Sequence, residues 1–207
     1  MINNFMFTKL ATSFFVDFDK SLLNDLPEIL HSYGDAQPDA RSAHWMTYSK
    51  PTTSSYLEHG QISFTGFTHF FLPKFTNDVF DRLNSVLGNK IPWDKTRLRL
   101  IRTRGYVLPH TDEVRHTCIN IGLLNSDSAE THFGRTNQQS DFEPPMDTNK
   151  FICQDGDVYL LNVKTVHAVY PIRDCDRYLI TYPFSRDYTS ILNLIKTHHD
   201  TLPTTGR

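Results

Sequence analysis

Residues 97–112 read RLRLIRTRGYVLPHTD, and that run decides the fold. Apolar and β-branched residues alternate with polar ones up to Gly105, and Pro109 punctuates the run that follows. The pattern predicts strand, turn, strand. The second run closes on His110-Thr111-Asp112. Alternate residues of a strand point to one face, so His110 and Asp112 can reach a single metal ion. Working outward, 116–124 (HTCINIGLL) is an apolar strand. The segment 151–162 (FICQDGDVYLLN) is predicted as strand, Asp155-Gly156 turn, strand. His167 follows one short element later, and Arg177 opens RYLITYPF, a run rich in β-branched and aromatic residues that reads as the last strong strand.

Two imidazoles and one carboxylate suit iron(II) and leave the opposite face of an octahedron open. Those positions can take a chelating co-substrate and dioxygen. A structural zinc site would instead be closed by four ligands, usually rich in Cys, and no CxxC pattern lies beside these residues. On a strand, Arg177 shares a face with Leu179 and Thr181, while Tyr178, Ile180 and Tyr182 share the other. A guanidinium beside a metal needs an anion, because burying an unpaired charge is costly. Bidentate pairing with a carboxylate meets that need. The distal carboxylate of 2-oxoglutarate would serve, with Thr181 as its candidate hydroxyl partner. A His-x-Asp pair alone is a weak signal in a chain with 10 histidines. The order and spacing of strands, turns and candidate ligands supply the specificity.

The pieces RLRLIRTRGYVLPHTD, HTCINIGLL, GDVYLLNVKTVHAVYP and DRYLITYPF, spanning about 97–185, resemble the iron(II)- and 2-oxoglutarate-dependent oxygenase superfamily. Within it the chain is most similar to the aspartyl/asparaginyl β-hydroxylase and prolyl hydroxylase branches. The resemblance implies a mainly β fold, a double-stranded β-helix (jelly-roll, cupin-like) with supporting N-terminal α-helices. It implies His110, Asp112 and His167 as iron ligands and Arg177 as the 2-oxoglutarate anchor. Many relatives carry Arg-x-Ser on the last strand; here Leu179 stands in the serine's place. Lys164, near His167, is the competing candidate for the anchor. Fe(II), 2-oxoglutarate and O2 are the implied cofactor and co-substrates. The implied reaction couples decarboxylation of 2-oxoglutarate to hydroxylation of an unactivated carbon, on an amino-acid side chain in a peptide or protein, or on a free amino acid.

Composition sets the outer bounds. A length of 207 residues makes one domain the default, expected over 1–198 with a supporting part at 1–96, a β-helix core at 97–186 and a flexible tail at 199–207. Hydrophobic content of 39% with 13% aromatics marks a globular chain, not a disordered one. The net charge of −2 with scattered Lys and Arg argues against bulk nucleic-acid binding. Cys118, Cys153 and Cys175 are odd in number and far apart, which predicts free thiols and a reducing, cytoplasmic setting. No signal-length apolar core is visible near the N-terminus, so neither a signal peptide nor a membrane span is expected.

Apolar spacing predicts helices over 19–34 and over TNDVFDRLNSVLGN (76–89), the latter with Thr76 as its cap. Strands and a polar turn are expected across 41–73, with Trp45 and Tyr48 as candidates for the pocket mouth. The polar, turn-rich stretch 125–150 holds one short strand candidate, ETHFG (130–134), and is read as either a substrate-covering lid or a surface loop. Arg115 and His116 could bind co-substrate or substrate, or lie on the surface. Asn120, polar within an apolar strand, could hydrogen-bond inside the pocket. At most one of Arg99 and Arg102 faces inward. The reading is a 2-oxoglutarate-dependent dioxygenase. Its rivals are a non-catalytic β-barrel with a degenerate site and a cupin-type metal enzyme that does not use 2-oxoglutarate.

Overall fold

The computed structural model describes residues 6–14, 61–63, 73–103, 105–112, 114–134 and 149–201. The expected helix over 19–34, the candidates Trp45 and Tyr48, most of the candidate lid (135–148) and the end of the chain (202–207) lie outside the described residues.

Among the described residues, ten strands form two antiparallel sheets. They are β1 (Phe7–Ala11), β2 (Gln61–Ser63), β3 (Arg99–Thr103), β4 (Val107–His110), β5 (Thr117–Leu124), β6 (Ala129–Phe133), β7 (Asn149–Ile152), β8 (Val158–Asn162), β9 (His167–Pro171) and β10 (Arg177–Phe184). The larger sheet has the order β1-β8-β5-β10-β3-β2, and the smaller the order β4-β9-β6-β7. From β3 onward the chain steps back and forth between the sheets, and every pair of hydrogen-bonded neighbours runs antiparallel. This is a double-stranded β-helix, as the order of strand signals predicts.

Period-two alternation divides the side chains of the larger sheet. Leu100, Ile119, Ile121, Val158, Leu160, Tyr178, Ile180 and Tyr182 are buried on the face covered by helices. Cys118, Tyr159, Leu161 and Leu179 pack on the other face with Phe133 of the smaller sheet. Helix α1 (Pro73–Leu87) buries Phe75, Val79, Phe80, Leu83 and Leu87. It starts three residues before the expected cap. Proline is tolerated in a first helical turn, and Thr76 lies inside the helix and is buried. Gly88, at φ 94°, ends it and donates its N–H to the Asn84 carbonyl.

A second helix, α2 (Tyr188–Thr201), was not anticipated, and residues 199–201, expected in a tail, belong to it. Asp187 caps it: its carboxylate accepts from the Ser190 N–H at 2.9 Å and the Ser190 hydroxyl at 2.6 Å. Those bonds hold the Asp187 carboxyl below the usual range. Tyr188, Ile191, Leu192 and Ile195 bury its inner face. Among the described residues, no helix is long and apolar enough to cross a membrane.

The Asp155-Gly156 turn stands between two strands, β7 and β8, as expected. It does not join two paired strands: β7 belongs to the smaller sheet and β8 to the larger. The turn carries the chain from one sheet to the other, with Gly156 at φ 83° and the Asp157 N–H bonded to the Gln154 carbonyl.

Candidate metal centre and anion pocket

Strands β4 and β9 build the centre. His110 ends β4 and is the register partner of His167, which begins β9. The two rings lie 4.3 Å apart. Asp112 does not share the strand; it sits just beyond its end, where strand alternation no longer places it. Its backbone does so instead. The Asp112 N–H donates to the Val163 carbonyl at 3.0 Å, and Lys164 Nζ donates to the Asp112 carbonyl at 3.0 Å. Both partners precede His167 in the loop from β8. One ligand-capable atom from each of His110, Asp112 and His167 falls within 4.8 Å of the other two.

His167 is held in the form that ligation would need. Its Nδ1 lies 3.0 Å from the Thr165 carbonyl, which fixes the tautomer with a proton on Nδ1 and leaves Nε2 as a lone-pair donor. Phe133 stacks on the ring at 5.6 Å between centroids. Burial, reinforced by His110, pushes its pKa down to about 4. The ring is therefore neutral at pH 7, the form that binds metal. Because the folded value is below the ordinary value of 6.5, the unfolded chain binds more protons between pH 6.5 and 4. The metal-free protein is thus expected to lose stability as pH falls through that window. Urea midpoints with chelator at pH 7 and pH 4.5 check this; an unchanged midpoint would show that His167 gains its proton as readily folded as unfolded.

The cluster opens on a cavity between the sheets. Arg177, Leu179 and Thr181 line it, as do Asn120 of β5 and Thr103 of β3. Arg177 is 4% exposed. Among the described residues no acid pairs with it, and its Nε, fully buried, has no hydrogen-bond partner. Burial pushes its pKa below the usual arginine range, with Cys153 working in the opposite sense. An arginine nevertheless stays charged in a protein. A buried cation without a counter-charge is costly.

Thr181 uses its proton within the wall: its hydroxyl donates to Asn120 Oδ1 at 2.6 Å. The Cys118 thiol, at 3.6 Å, donates to the same oxygen. Two donors on one oxygen fix the amide, so Nδ2 is the Asn120 group left to donate. Lys164 is exposed, with its ammonium on the Asp112 carbonyl. Arg99 lies on the same face of β3 as the cavity-lining Ile101 and Thr103, while Arg102 pairs with Asp176 at 3.1 Å. Arg115 was open between pocket and surface. It lines the cavity and donates to Asp112 Oδ1 at 2.8 Å. The three-residue spacing from Asp112 was the available signal, but it gains meaning only from the loop that follows β4. The three cysteines are free, and burial pushes the Cys118 and Cys153 thiols up to about 12.

The molecule is thus a jelly-roll barrel holding a His-Asp-His cluster and a buried arginine in one cavity. No protein-family model matches the chain, and no curated protein matches it. Similarity to solved structures is found. An oxidoreductase of the 2OG-Fe(II) oxygenase family from Burkholderia pseudomallei is 17% identical over 51% of this chain, at TM-score 0.36; this chain spans about half (51%) of that protein's length. A prolyl hydroxylase from Trichoplax adhaerens, solved with a hypoxia inducible factor peptide fragment, is 15% identical over 91% of this chain and 88% of its own, at TM-score 0.45. HygX from Streptomyces hygroscopicus, solved with nickel and 2-oxoglutarate, is 10% identical over 86% and 81%, at TM-score 0.42. These are likenesses of fold.

Proposed function

We propose that the protein is an iron(II)- and 2-oxoglutarate-dependent dioxygenase that hydroxylates an unactivated carbon. One observation carries this beyond a generic metal-binding barrel. The cavity that holds the three candidate ligands also buries a guanidinium with no counter-charge among the described residues. A dianionic chelator that reaches the metal at one end and Arg177 at the other satisfies both.

The donor set fits iron(II). His110 and His167 offer imidazole nitrogens and Asp112 a carboxylate oxygen, each within 4.8 Å of the others. Held by these three residues, the metal would supply activation of dioxygen, coupled to decarboxylation of the co-substrate. Arg177 would bind the distal carboxylate bidentately, and the Asn120 amide would be its second donor, oriented by Thr181. In this reading Thr181 acts through Asn120. Leu179, Leu161 and Val169 would keep that end of the cavity dry. The substrate class that fits the sequence resemblance is an amino-acid side chain, in a peptide or protein, or a free amino acid.

The test is anaerobic mixing of the purified chain with iron(II) and 2-oxoglutarate. A weak visible charge-transfer band is expected, followed by succinate on admission of air. No band and no succinate would sink the proposal. Metal binding without any effect of 2-oxoglutarate would favour a cupin-type centre that does not use it.

A further inference from the structure

We propose that Arg99 and Arg115 form a second anion site, at the end of the cavity away from Arg177, and that it holds a carboxylate of the substrate. This site presupposes the oxygenase reading and names a group that the substrate carries. Register fixes where the side chains start. Strand β10 pairs with β3 from Arg177 opposite Thr103 to Thr181 opposite Arg99, so Arg177 and Arg99 stand at opposite ends of the pairing. Arg99 shares the inward face of β3 with Ile101 and Thr103, which line the cavity. Arg115 comes to the Arg99 end. The next residue, His116, donates its N–H at 3.0 Å to the carbonyl of Phe184, the last residue of β10. Burial pushes the Arg99 pKa below the usual arginine range; the nearby charges of Arg115 and Arg97 push the same way, and Asp112 opposes them.

Among the described residues, three guanidiniums thus gather near one carboxylate, and Lys164 adds a fourth cation with its ammonium on the Asp112 carbonyl. Like charges beside a cavity repel unless an anion balances them. The Asp112 carboxylate that opposes them also belongs to the candidate metal cluster. A divalent ion there takes up that negative charge, so filling the metal site raises the positive excess. 2-Oxoglutarate does not restore the balance at this end, because its distal carboxylate is directed to Arg177 and its other end to the metal. Arg115 spends Nη2 on Asp112 Oδ1 at 2.8 Å and keeps further N–H donors. Its side chain is 25% exposed and lines the cavity, so an entering molecule can reach it. A planar carboxylate suits such guanidiniums. The α-carboxylate of an amino acid or an acidic side chain supplies one, and anchoring it here leaves a neighbouring carbon to face the cluster.

Manganese(II) stands in for iron, so the complex forms without turnover. The full chain loaded with manganese(II) and 2-oxoglutarate is titrated with free L-amino acids and with N-acetyl-L-aspartyl and N-acetyl-L-glutamyl amides, each acid paired with its amide counterpart. Thermal midpoints give the affinity of each probe. At least one acid is expected to bind roughly tenfold or more tightly than its amide. Arg99→Gln is expected to lose that preference while its stabilisation by 2-oxoglutarate stays as in wild type. Arg99→Lys, which keeps the charge but not the planar fork, is expected to retain part of it. No acid binding better than its amide would overturn the proposal, as would a preference that survives in Arg99→Gln. Loss of the 2-oxoglutarate response in Arg99→Gln would assign the arginines to the co-substrate and also overturn it. If Arg99→Gln loses its thermal transition, Arg99→Lys decides: weaker acid affinity with the amide's unchanged supports the site, and unchanged acid affinity overturns it. A wild type that manganese(II) and 2-oxoglutarate do not stabilise would remove the oxygenase reading itself, and this site with it.

Discussion

Arg177→Met is expected to make the protein more stable and to abolish its response to 2-oxoglutarate. The two effects have one cause. Arg177 is almost wholly buried, and among the described residues its Nε has no hydrogen-bond partner. Even a well-paired buried ion often stabilises less than an apolar side chain of similar volume. Replacement with methionine should stabilise by about 2 kcal/mol, roughly 4–8 °C in Tm for a chain of this size. Losing one partner of a buried charged pair costs about 2–5 kcal/mol of binding, so affinity for 2-oxoglutarate should fall roughly thirtyfold or more. Thermal shifts of the manganese-loaded protein with and without 2-oxoglutarate check both. Wild type should gain stability on addition and the variant should not, from a higher starting Tm. A variant that is less stable and loses manganese as well would make Arg177 a structural group.

The second large effect is expected far from the cavity's chemistry. Gly122→Ala should destabilise by about 3 kcal/mol or more, lowering Tm by roughly 6–12 °C or preventing folding. Gly122 lies in β5, where that strand leaves its register with β8 and meets the turn that crosses between the sheets. Its N–H donates to the Asp157 carbonyl, and its carbonyl accepts from the Gly156 N–H. A Cβ there would stand 2.2 Å from the Gln154 carbonyl oxygen and 2.7 Å from Ser126 Oγ. Serine could rotate, but the Gln154 carbonyl is backbone and cannot withdraw without moving the turn. Calorimetry on the variant measures the loss. A Tm within a degree or two of wild type would mean the crossing turn moves freely.

These positions also show what the sequence could and could not say. That His110, Asp112, His167 and Arg177 come to one cavity was legible because residue type and strand order restrict them: a guanidinium opening a strand near candidate metal ligands has few uses. The two faces of β10 followed from alternation and stand as expected, with Arg177, Leu179 and Thr181 inward. The reason His110 and Asp112 meet was misjudged, because β4 ends at His110 and main-chain bonds to Val163 and Lys164 take over. Nothing local signals those bonds. Arg115 was ambiguous for the same reason. Asp155-Gly156 was legible as a turn between strands because turn chemistry is local, whereas assigning β7 and β8 to different sheets is a long-range fact. Helix α2 was lost to the polar look of its end, although Asp187 and the spacing of Tyr188, Ile191, Leu192 and Ile195 marked it.

The pairing of β4 with β9 has a consequence for how the proposed metal centre would assemble. His110 and His167 meet only after the chain has laid down β5, β6, β7 and β8 between them. Closing so long a loop must precede any contact it rewards, which slows assembly. No short segment holds both histidines, so a metal ion cannot nucleate the barrel as it nucleates a zinc finger. Acquisition of the ion should therefore trail barrel closure in refolding, and its rate would serve as a clock for the last strands to dock.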